Sequence, residues 1–144
     1  MLALEANDVG EAVRTDLLTG AMFGGICIAH TGTGYPHPMG YNLTLHRGIP
    51  HGVACAFFEG EYLRRQASAS KELYSDFLRL AGLPEEMPEK LTTLAGPMPR
   101  LTAEEITRYA NLIARVKNFA NSIGAVAADA DSIADLYRAV IGNA

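Results

Sequence analysis

Apolar residues recur every three or four positions along most of the chain, whereas the alternation of apolar and polar residues that is typical of half-buried strands is almost absent. The clearest stripe lies near the end of the chain, where one helical face would carry Ile133, Leu136, Tyr137, Val140 and Ile141. Glycines and prolines divide the remaining sequence into further helical stretches. The pattern therefore predicts an all-α fold, a bundle of about six or seven helices.

The first helical stretch begins with a capping signal and is rich in small residues. Asp8 followed by Glu11 is typical of a capping box, which predicts a helix that starts near Val9. The Thr-Gly-Thr-Gly run at residues 31–34 predicts its end. Glycine within a helix costs about 1 kcal/mol relative to alanine, so we expect these glycines to permit the close approach of another helix: Gly20, Gly24 and Gly25.

The middle of the chain alternates between a helix and a proline-rich loop. Residues 70–80 predict a helix with Leu73, Phe77 and Leu80 on its inward face, and Gly82 is its stop signal. Residues 83–100 contain several prolines, which predict a loop interrupted by one short helix over residues 89–94.

Two further capping signals predict the last helices. Thr102 and Glu105 form a capping box for a long helix that should run to about Ser122. Ser132 with Asp135 predicts the start of the final helix, which carries the apolar stripe described above.

Length and composition are those of one soluble globular domain, residues 1–144, with 49% hydrophobic and 19% charged residues and a formal net charge of −4. Lys and Arg are scattered rather than clustered, which argues against nucleic-acid binding. The most apolar run, residues 17–29, is short for a membrane span, and no signal-peptide pattern opens the chain. We therefore expect a cytoplasmic protein with no nucleic-acid or membrane partner. Cys27 and Cys55 should then be reduced core thiols, with a disulfide between them as the alternative.

The residues with the most chemical information are two histidines, His37 and His51, fourteen positions apart. One continuous helix would hold them roughly 21 Å apart, too far to share an ion. Gly48 and Pro50 lie between them, however, and favour a chain reversal. A short helix over residues 38–45 would then carry His37 at its start, and His51 would lie in the first turn of the next helix. The two imidazoles could converge on one transition metal, whereas surface or capping histidines are the alternative.

The remaining histidines and a pair of arginines have simpler interpretations. His30 is expected to cap the C-terminus of the first helix, and His46 is expected to be exposed. Arg64 and Arg65 would close the third helix, where cations are favourable.

The sequence around the two histidines also resembles a known family. Its segments are AHTGTG (29–34), YPHPMG (35–40) and GIPHGVA (48–54). They resemble the C-terminal helical domain of the iron-containing (group III) alcohol dehydrogenases, in which a helix rich in small residues precedes a His-Pro-x-Gly-like segment and then a Pro-His-Gly-Val-x-x-Ala segment. The spacing between the two histidines is also similar. The resemblance is strong over residues 20–65 and weaker over the tail, which begins with Asn118-Phe119-Ala120-Asn121.

The resemblance implies a dehydroquinate synthase-like helical domain that binds a divalent metal, Fe2+ or alternatively Zn2+, through His37 and His51. It implies that the intact enzyme is an oxidoreductase, which interconverts an alcohol and an aldehyde or ketone by hydride transfer with NAD or NADP, the metal acting as a Lewis acid. Tyr41 lies where many family members have a histidine that lines the active site. We therefore expect Tyr41 to contact a small alcohol or aldehyde substrate, and we assign no catalytic residue.

The chain also departs from the family pattern. Two further metal ligands of the family come from an Asp-x-x-x-His motif, and no Asp here is followed by His at that distance. No glycine-rich segment follows a strand pattern, so nothing predicts a dinucleotide site. We expect the chain to be the metal-binding half of such an enzyme, with the N-terminal NAD(P)-binding domain absent, so that catalysis by this chain alone is uncertain.

Other functions remain open. The first possibility is that the chain is a helical fragment without catalysis of its own, because two ligands make a poor site for a labile divalent ion. An independent interaction module that self-associates through apolar faces, giving a homo-oligomer, is the second possibility. A structural zinc module is the third, and it is disfavoured because the cysteines lack zinc-site spacing.

Overall fold

The protein is all-α, as predicted. The computed structural model describes residues 10–121, 124 and 126–142, and within these ranges it has seven α-helices, one 3-10 turn and no strand. The chain divides into two compact units, one ending at Gly32 and one beginning at Thr33. The helices are α1 (Glu11–Thr31), α2 (Pro36–Arg47), α3 (His51–Ala69), α4 (Lys71–Ala81), α5 (Met87–Ala95), α6 (Ala103–Ile113) and α7 (Ala130–Gly142), with the 3-10 turn Lys117–Ala120 before α7.

Helix α1 forms the described part of the first unit, and it ends where the sequence predicts. Gly32 has φ 74°, and its N–H donates to the Ile28 carbonyl oxygen. His30 Nδ1 lies 2.8 Å from the Ile26 carbonyl oxygen, which precedes the free carbonyl groups of the last helical turn, so its predicted role as a C-terminal cap stays a prediction. The predicted capping residue Asp8 and the predicted start near Val9 lie outside the described residues.

The surface of α1 differs from the expectation. No residue of the helix is buried, and no heavy atom lies within 4 Å of a Cβ added at Gly20, Gly24 or Gly25. The predicted close approach of another helix at these glycines stays a prediction. The prediction that Cys27 is a core thiol is wrong, because this residue is exposed and free. In length and composition α1 could cross a membrane, although the most apolar run by itself was predicted to be short for a span; a single helix of this kind is weak evidence, because signal sequences and the core helices of soluble proteins pass the same test.

The second unit is built around α3. This helix packs against α2, α4, α5 and α7, and α6 packs against α2 and α7. The core contains most of the predicted stripe of α7, with Ile133, Leu136, Tyr137 and Val140 all buried. Ala134 of the same helix is also buried, and side chains from the rest of the unit complete the core: Tyr35, Met39, Leu43, Ala54, Phe57, Phe58, Met98, Ile106, Tyr109, Ala110, Ile113 and Phe119.

A buried polar network holds α2 against α6 and α7. The Asn42 side-chain amide donates to the Tyr109 carbonyl oxygen at 3.2 Å and to the Tyr137 hydroxyl at 3.0 Å. The Tyr137 hydroxyl in turn donates to the Met39 carbonyl oxygen at 3.1 Å. Since buried polar groups are costly unless they are hydrogen-bonded, this network fixes the position of the helix that carries His37.

Helix α4 has the predicted limits but not the predicted face. Ser70 caps its start, and Gly82 ends it with φ 63°. The inward orientation expected for Leu73, Phe77 and Leu80 is wrong, because all three are exposed and the buried residue is Leu78. Helix α4 packs against α3, and this packing leaves the three apolar side chains exposed.

Two helix boundaries and one helix cap also differ from the predictions. The capping box of Thr102 and Glu105 is present, but α6 stops at Ile113 rather than near Ser122. Arg115 has φ 71°, and its N–H donates to the Ala128 carbonyl oxygen at 2.7 Å. The chain then forms the 3-10 turn, which places Phe119 in the core.

The other two differences concern the cap of α7 and the end of α3. The start of α7 is capped by Asp129, whose carboxylate accepts from the Ser132 N–H at 2.8 Å, so Ser132 is not the cap. Helix α3 continues past Arg64 and Arg65 to Ala69. Both arginines pair with Glu61 within the helix, at 3.3 Å and 2.8 Å respectively.

Candidate metal centre

The chain reverses between α2 and α3 as the glycine and proline predict. Gly48 ends α2 in the left-handed conformation, φ 65°, and its N–H bonds to the Leu43 and Thr44 carbonyl oxygens. Pro50 immediately precedes α3, where a residue without a free N–H is well tolerated. The two helices therefore form a helical hairpin in which α2 packs against α3.

This hairpin brings His37 and His51 together. His37 lies in the first turn of α2, and His51 is the first residue of α3. His51 Nε2 is 3.1 Å from His37 Nδ1, and the ring centroids are 4.8 Å apart with the planes at 81°. Both side chains are half-buried, so that they are held in place and remain accessible.

Cys55 is a third member of this cluster, and the sequence interpretation missed it. It lies one helical turn after His51, and its Sγ is 3.5 Å from His51 Nε2 and 3.9 Å from Nδ1. Cys55 is half-buried and free rather than a simple core thiol. The signal was present in the sequence, because residues four apart on a helix share one face.

Thr44 orients the imidazole of His51. Its hydroxyl donates to the Gly40 carbonyl oxygen at 3.1 Å and lies 3.3 Å from His51 Nδ1. A hydroxyl that donates in one direction can accept from Nδ1–H in the other. This tautomer leaves the lone pair of Nε2 directed towards His37, which is how a second hydrogen bond commonly prepares a metal-binding histidine.

Tyr41 lies against both imidazoles. Its ring centroid is 4.7 Å from that of His37 and 4.4 Å from that of His51. The side chain is 45% exposed, so that its hydroxyl group can meet a molecule from solvent. Its predicted role in substrate binding stays a prediction.

Comparison with protein-family models identifies the chain. Residues 2–132 match the model described as Fe-containing alcohol dehydrogenase family, C-terminal. The chain belongs to the Fe-containing alcohol dehydrogenase family. Searches of curated proteins and of solved structures gave no significant match.

In this Fe-containing alcohol dehydrogenase domain, the protonation state of the cluster depends on burial. Burial lowers the pKa of His37, and the neighbouring His51 lowers it further, so that the neutral, metal-binding form is favoured. Burial also raises the pKa of Cys55 to about 11, with a further contribution from Glu59. Without a cation the thiol therefore keeps its proton.

The donor set suits a transition metal. One nitrogen from each histidine and the sulfur of Cys55 lie within 4.8 Å of one another. Imidazole and thiolate are ligands of zinc and related ions, whereas magnesium and calcium require oxygen ligands. The residues present therefore fit the divalent metal that the family implies.

The tail segment that resembles the family has a structural role in this domain. The Asn118 amide donates to the Thr33 carbonyl oxygen at 3.1 Å and to the Thr33 hydroxyl at 2.7 Å. The Asn121 amide also donates to the Thr33 carbonyl oxygen, at 3.3 Å. These bonds hold the segment that leads into α2 and His37.

Proposed function

We propose that this chain is the metal-binding part of an iron-type alcohol dehydrogenase-like oxidoreductase, with His37 and His51 as ligands of a divalent cation. The observation that supports this proposal is the 3.1 Å separation of His51 Nε2 and His37 Nδ1 across the α2–α3 hairpin. Family membership supports the same reaction class. Fe2+ and Zn2+ are both candidates, because imidazole binds either ion.

The cation and the residues around His37 and His51 would have different roles at the site. A bound divalent cation would supply Lewis acidity towards the oxygen of the alcohol or carbonyl group. Thr44 would hold His51 in the ligating tautomer, since its hydroxyl lies 3.3 Å from Nδ1. Tyr41 would contact the small alcohol or aldehyde from the open side, where its ring already covers both imidazoles.

The cofactor half of the reaction would come from elsewhere in the intact enzyme. We propose that NAD or NADP binds to an N-terminal domain of the family type and that the substrate lies between that domain and the metal site. The present chain would then be a folded helical domain of a soluble cytoplasmic enzyme, without dehydrogenase activity of its own. Alcohol-dependent reduction of NAD(P) by this chain alone would contradict that division of roles.

Metal analysis of histidine variants tests the ligand assignment. After incubation with Fe2+ or Zn2+ and removal of excess ion, the purified chain is expected to retain metal in stoichiometric amount. His37→Ala and His51→Ala are each expected to lose nearly all of it, because each removes a ligand.

His30→Ala is the matched control, because His30 is an exposed histidine that bonds only within α1. It should retain the metal. Metal content that is equal in all three variants, or absent from the folded chain, would contradict the assignment.

A second candidate function, self-association, is favoured by the exposed surface of α1. Several large apolar side chains on this helix are about half exposed or more, among them Leu17, Leu18, Met22, Phe23, Ile26 and Ile28. Exposed apolar side chains in such number mark interaction sites in soluble proteins. We therefore propose that α1 pairs with α1 of a second copy.

Light scattering of charged variants checks this pairing. Leu18→Glu is expected to reduce the molar mass of the particle to that of a monomer, because it places a charge among the exposed apolar side chains of α1. Leu45→Glu on α2 is the control, since Leu45 is 73% exposed and Leu18 is 74% exposed. A monomer at every concentration of the unchanged chain would rule out self-association.

A further inference from the structure

We infer that Cys55 is the third ligand of the metal site, so that the α2–α3 hairpin alone carries a complete three-residue zinc site made of His37, His51 and Cys55. This inference rests on the proposed function, since it concerns the same cation. It goes beyond the proposed function in one consequence: this chain does not need the Asp-x-x-x-His motif, which its sequence lacks, to bind metal.

The interatomic distances agree with tetrahedral coordination. With metal–nitrogen bonds of about 2.05 Å and metal–sulfur bonds of about 2.3 Å, the edges of a tetrahedral site are about 3.3 Å for nitrogen–nitrogen and about 3.6 Å for nitrogen–sulfur. The corresponding distances here are 3.1 Å between the histidine nitrogens and 3.5 Å between His51 Nε2 and Cys55 Sγ. The remaining edge joins the His37 nitrogen to Cys55 Sγ and is no longer than 4.8 Å. A side-chain rotation that moves the sulfur by about 1 Å would bring this distance to that of a tetrahedral site.

The packing of α2 on α3 gives Cys55 this position. A Cβ added at Gly40 would lie 2.8 Å from Cys55 Sγ and 3.0 Å from its backbone nitrogen. The two helices therefore approach each other closely where the sulfur lies, and the lack of a side chain at Gly40 leaves it room. One helical turn separates His51 from Cys55, which places both donors on the side of α3 that faces His37.

The ligand set selects among metals. Two imidazoles and one thiolate with an open fourth position is the arrangement of catalytic rather than structural zinc, in which three protein ligands leave one site for water or substrate. Sites with nitrogen and sulfur ligands generally bind Zn2+ more tightly than Fe2+, and thiolate is a preferred ligand of zinc, so this ligand set favours zinc. Tyr41, which lies against both histidines and is exposed, is placed beside an incoming fourth ligand.

Binding changes protonation but not oxidation state. The Cys55 S–H bond breaks, its proton passes to solvent, and the sulfur lone pair forms the bond to Zn2+. The neutral His37 and His51 each donate a nitrogen lone pair. Zinc remains divalent throughout, so that no oxidant or reductant is required.

Cobalt titration of the full chain tests the assignment of Cys55. Co2+ replaces Zn2+ in such sites, and a thiolate ligand gives it an intense near-ultraviolet charge-transfer absorption. We expect this band in the unchanged chain and its loss in Cys55→Ser. The variant should also bind Co2+ and Zn2+ more than about 100-fold more weakly, because the loss even of a residue that only hydrogen-bonds to a ligand lowers metal affinity by about 10–100-fold. Cys27→Ser is the matched control, because Cys27 is the other free cysteine and is exposed on α1; it should keep the band.

The outcomes separate this inference from the proposed function. Cobalt binding that depends on His37, shows no thiolate band and persists in Cys55→Ser would overturn the role of Cys55 and leave the histidine site intact. A folded chain that binds neither Co2+ nor Zn2+ would overturn both.

A second measurement on the unchanged chain does not depend on the folding of a variant. Alkylation by iodoacetamide, read by mass spectrometry, should modify Cys27 equally with and without Zn2+, whereas Zn2+ should protect Cys55. Modification of Cys55 that is unaffected by Zn2+ would overturn its assignment as a ligand.

Discussion

Replacing Glu59 by glutamine is expected to stabilise the second unit at pH 8 and to change its stability little at pH 4. Glu59 lies on α3, one turn after Cys55, and is half-buried. Burial raises the pKa of this carboxyl group from 4.5 to about 7. Burial raises the pKa values of Tyr35 and Tyr62, and the negative charge of the nearby Glu59 also raises both.

The direction of the pH effect follows from linkage. Because the folded pKa is raised above the unfolded value, the folded state holds its proton more tightly than the unfolded state. The stability associated with the protonated carboxyl group is therefore fully present below pH 4.5 and is lost as the pH rises to about 7. The difference is at most about 3 kcal/mol, because each tenfold change in proton affinity corresponds to about 1.4 kcal/mol. Glutamine stays neutral at every pH and avoids this loss.

Urea unfolding at pH 4 and pH 8, followed by circular dichroism, measures the effect. The free energy of unfolding of Glu59→Gln should exceed that of the unchanged chain at pH 8, and the two should agree at pH 4. Glu85→Gln is the control, since Glu85 is exposed on the turn between α4 and α5. The prediction fails if Glu59→Gln has the same effect at both pH values.

Replacing Gly60 by alanine is expected to destabilise the second unit by about 2 kcal/mol and to lower its melting temperature by about 8 °C. Gly60 is buried where α3 meets α5. An added Cβ would collide with Thr92 Oγ1 and would lie 2.7 Å from the Pro88 carbonyl oxygen. The Thr92 hydroxyl already donates to that carbonyl at 2.9 Å, so neither atom can move without losing a hydrogen bond.

Two opposing effects determine the size of this destabilisation. Overpacking of a tightly packed contact costs about 1–3 kcal/mol, and a backbone atom in the contact places the cost at the upper end. Alanine recovers about 1 kcal/mol of helix propensity relative to glycine. The packing cost exceeds this gain, so the variant is less stable.

Gly52→Ala is the matched control for this substitution. It lies in the same helix, and no heavy atom lies within 4 Å of its added Cβ. Thermal unfolding should therefore show Gly52→Ala to be unchanged or slightly more stable, while Gly60→Ala unfolds earlier. Equal melting temperatures for the two variants would show that α3 and α5 are not packed as closely as the structure indicates.

The sequence by itself determined the elements whose ends depend on local chemistry. Gly32, Gly48 and Gly82 each end a helix with φ between 63° and 74°, a conformation that glycine adopts without a steric cost. The capping box of Thr102 and Glu105 is likewise a contact within four residues. The reversal between His37 and His51 could be predicted for the same reason, because Gly48 and Pro50 act on the backbone next to them.

Only the tertiary structure decided features that depend on partners distant in sequence. Helix α6 ends early because the Arg115 N–H bonds to the Ala128 carbonyl oxygen and the following turn places Phe119 in the core. Which residue of α4 is buried depends on its packing against α3, a partner that the pattern within α4 does not contain.

The same distinction holds at the metal site. The pairing of His37 with His51 could be predicted, because the residues that bend the chain lie between them. The spacing of four residues also predicts that Cys55 shares a helix face with His51, but its approach to His37 could not be predicted, because it depends on how closely α2 approaches α3 at Gly40. Local sequence therefore determined where the chain turns and which histidines meet, while the packing of one helix on another decided which third side chain reaches them.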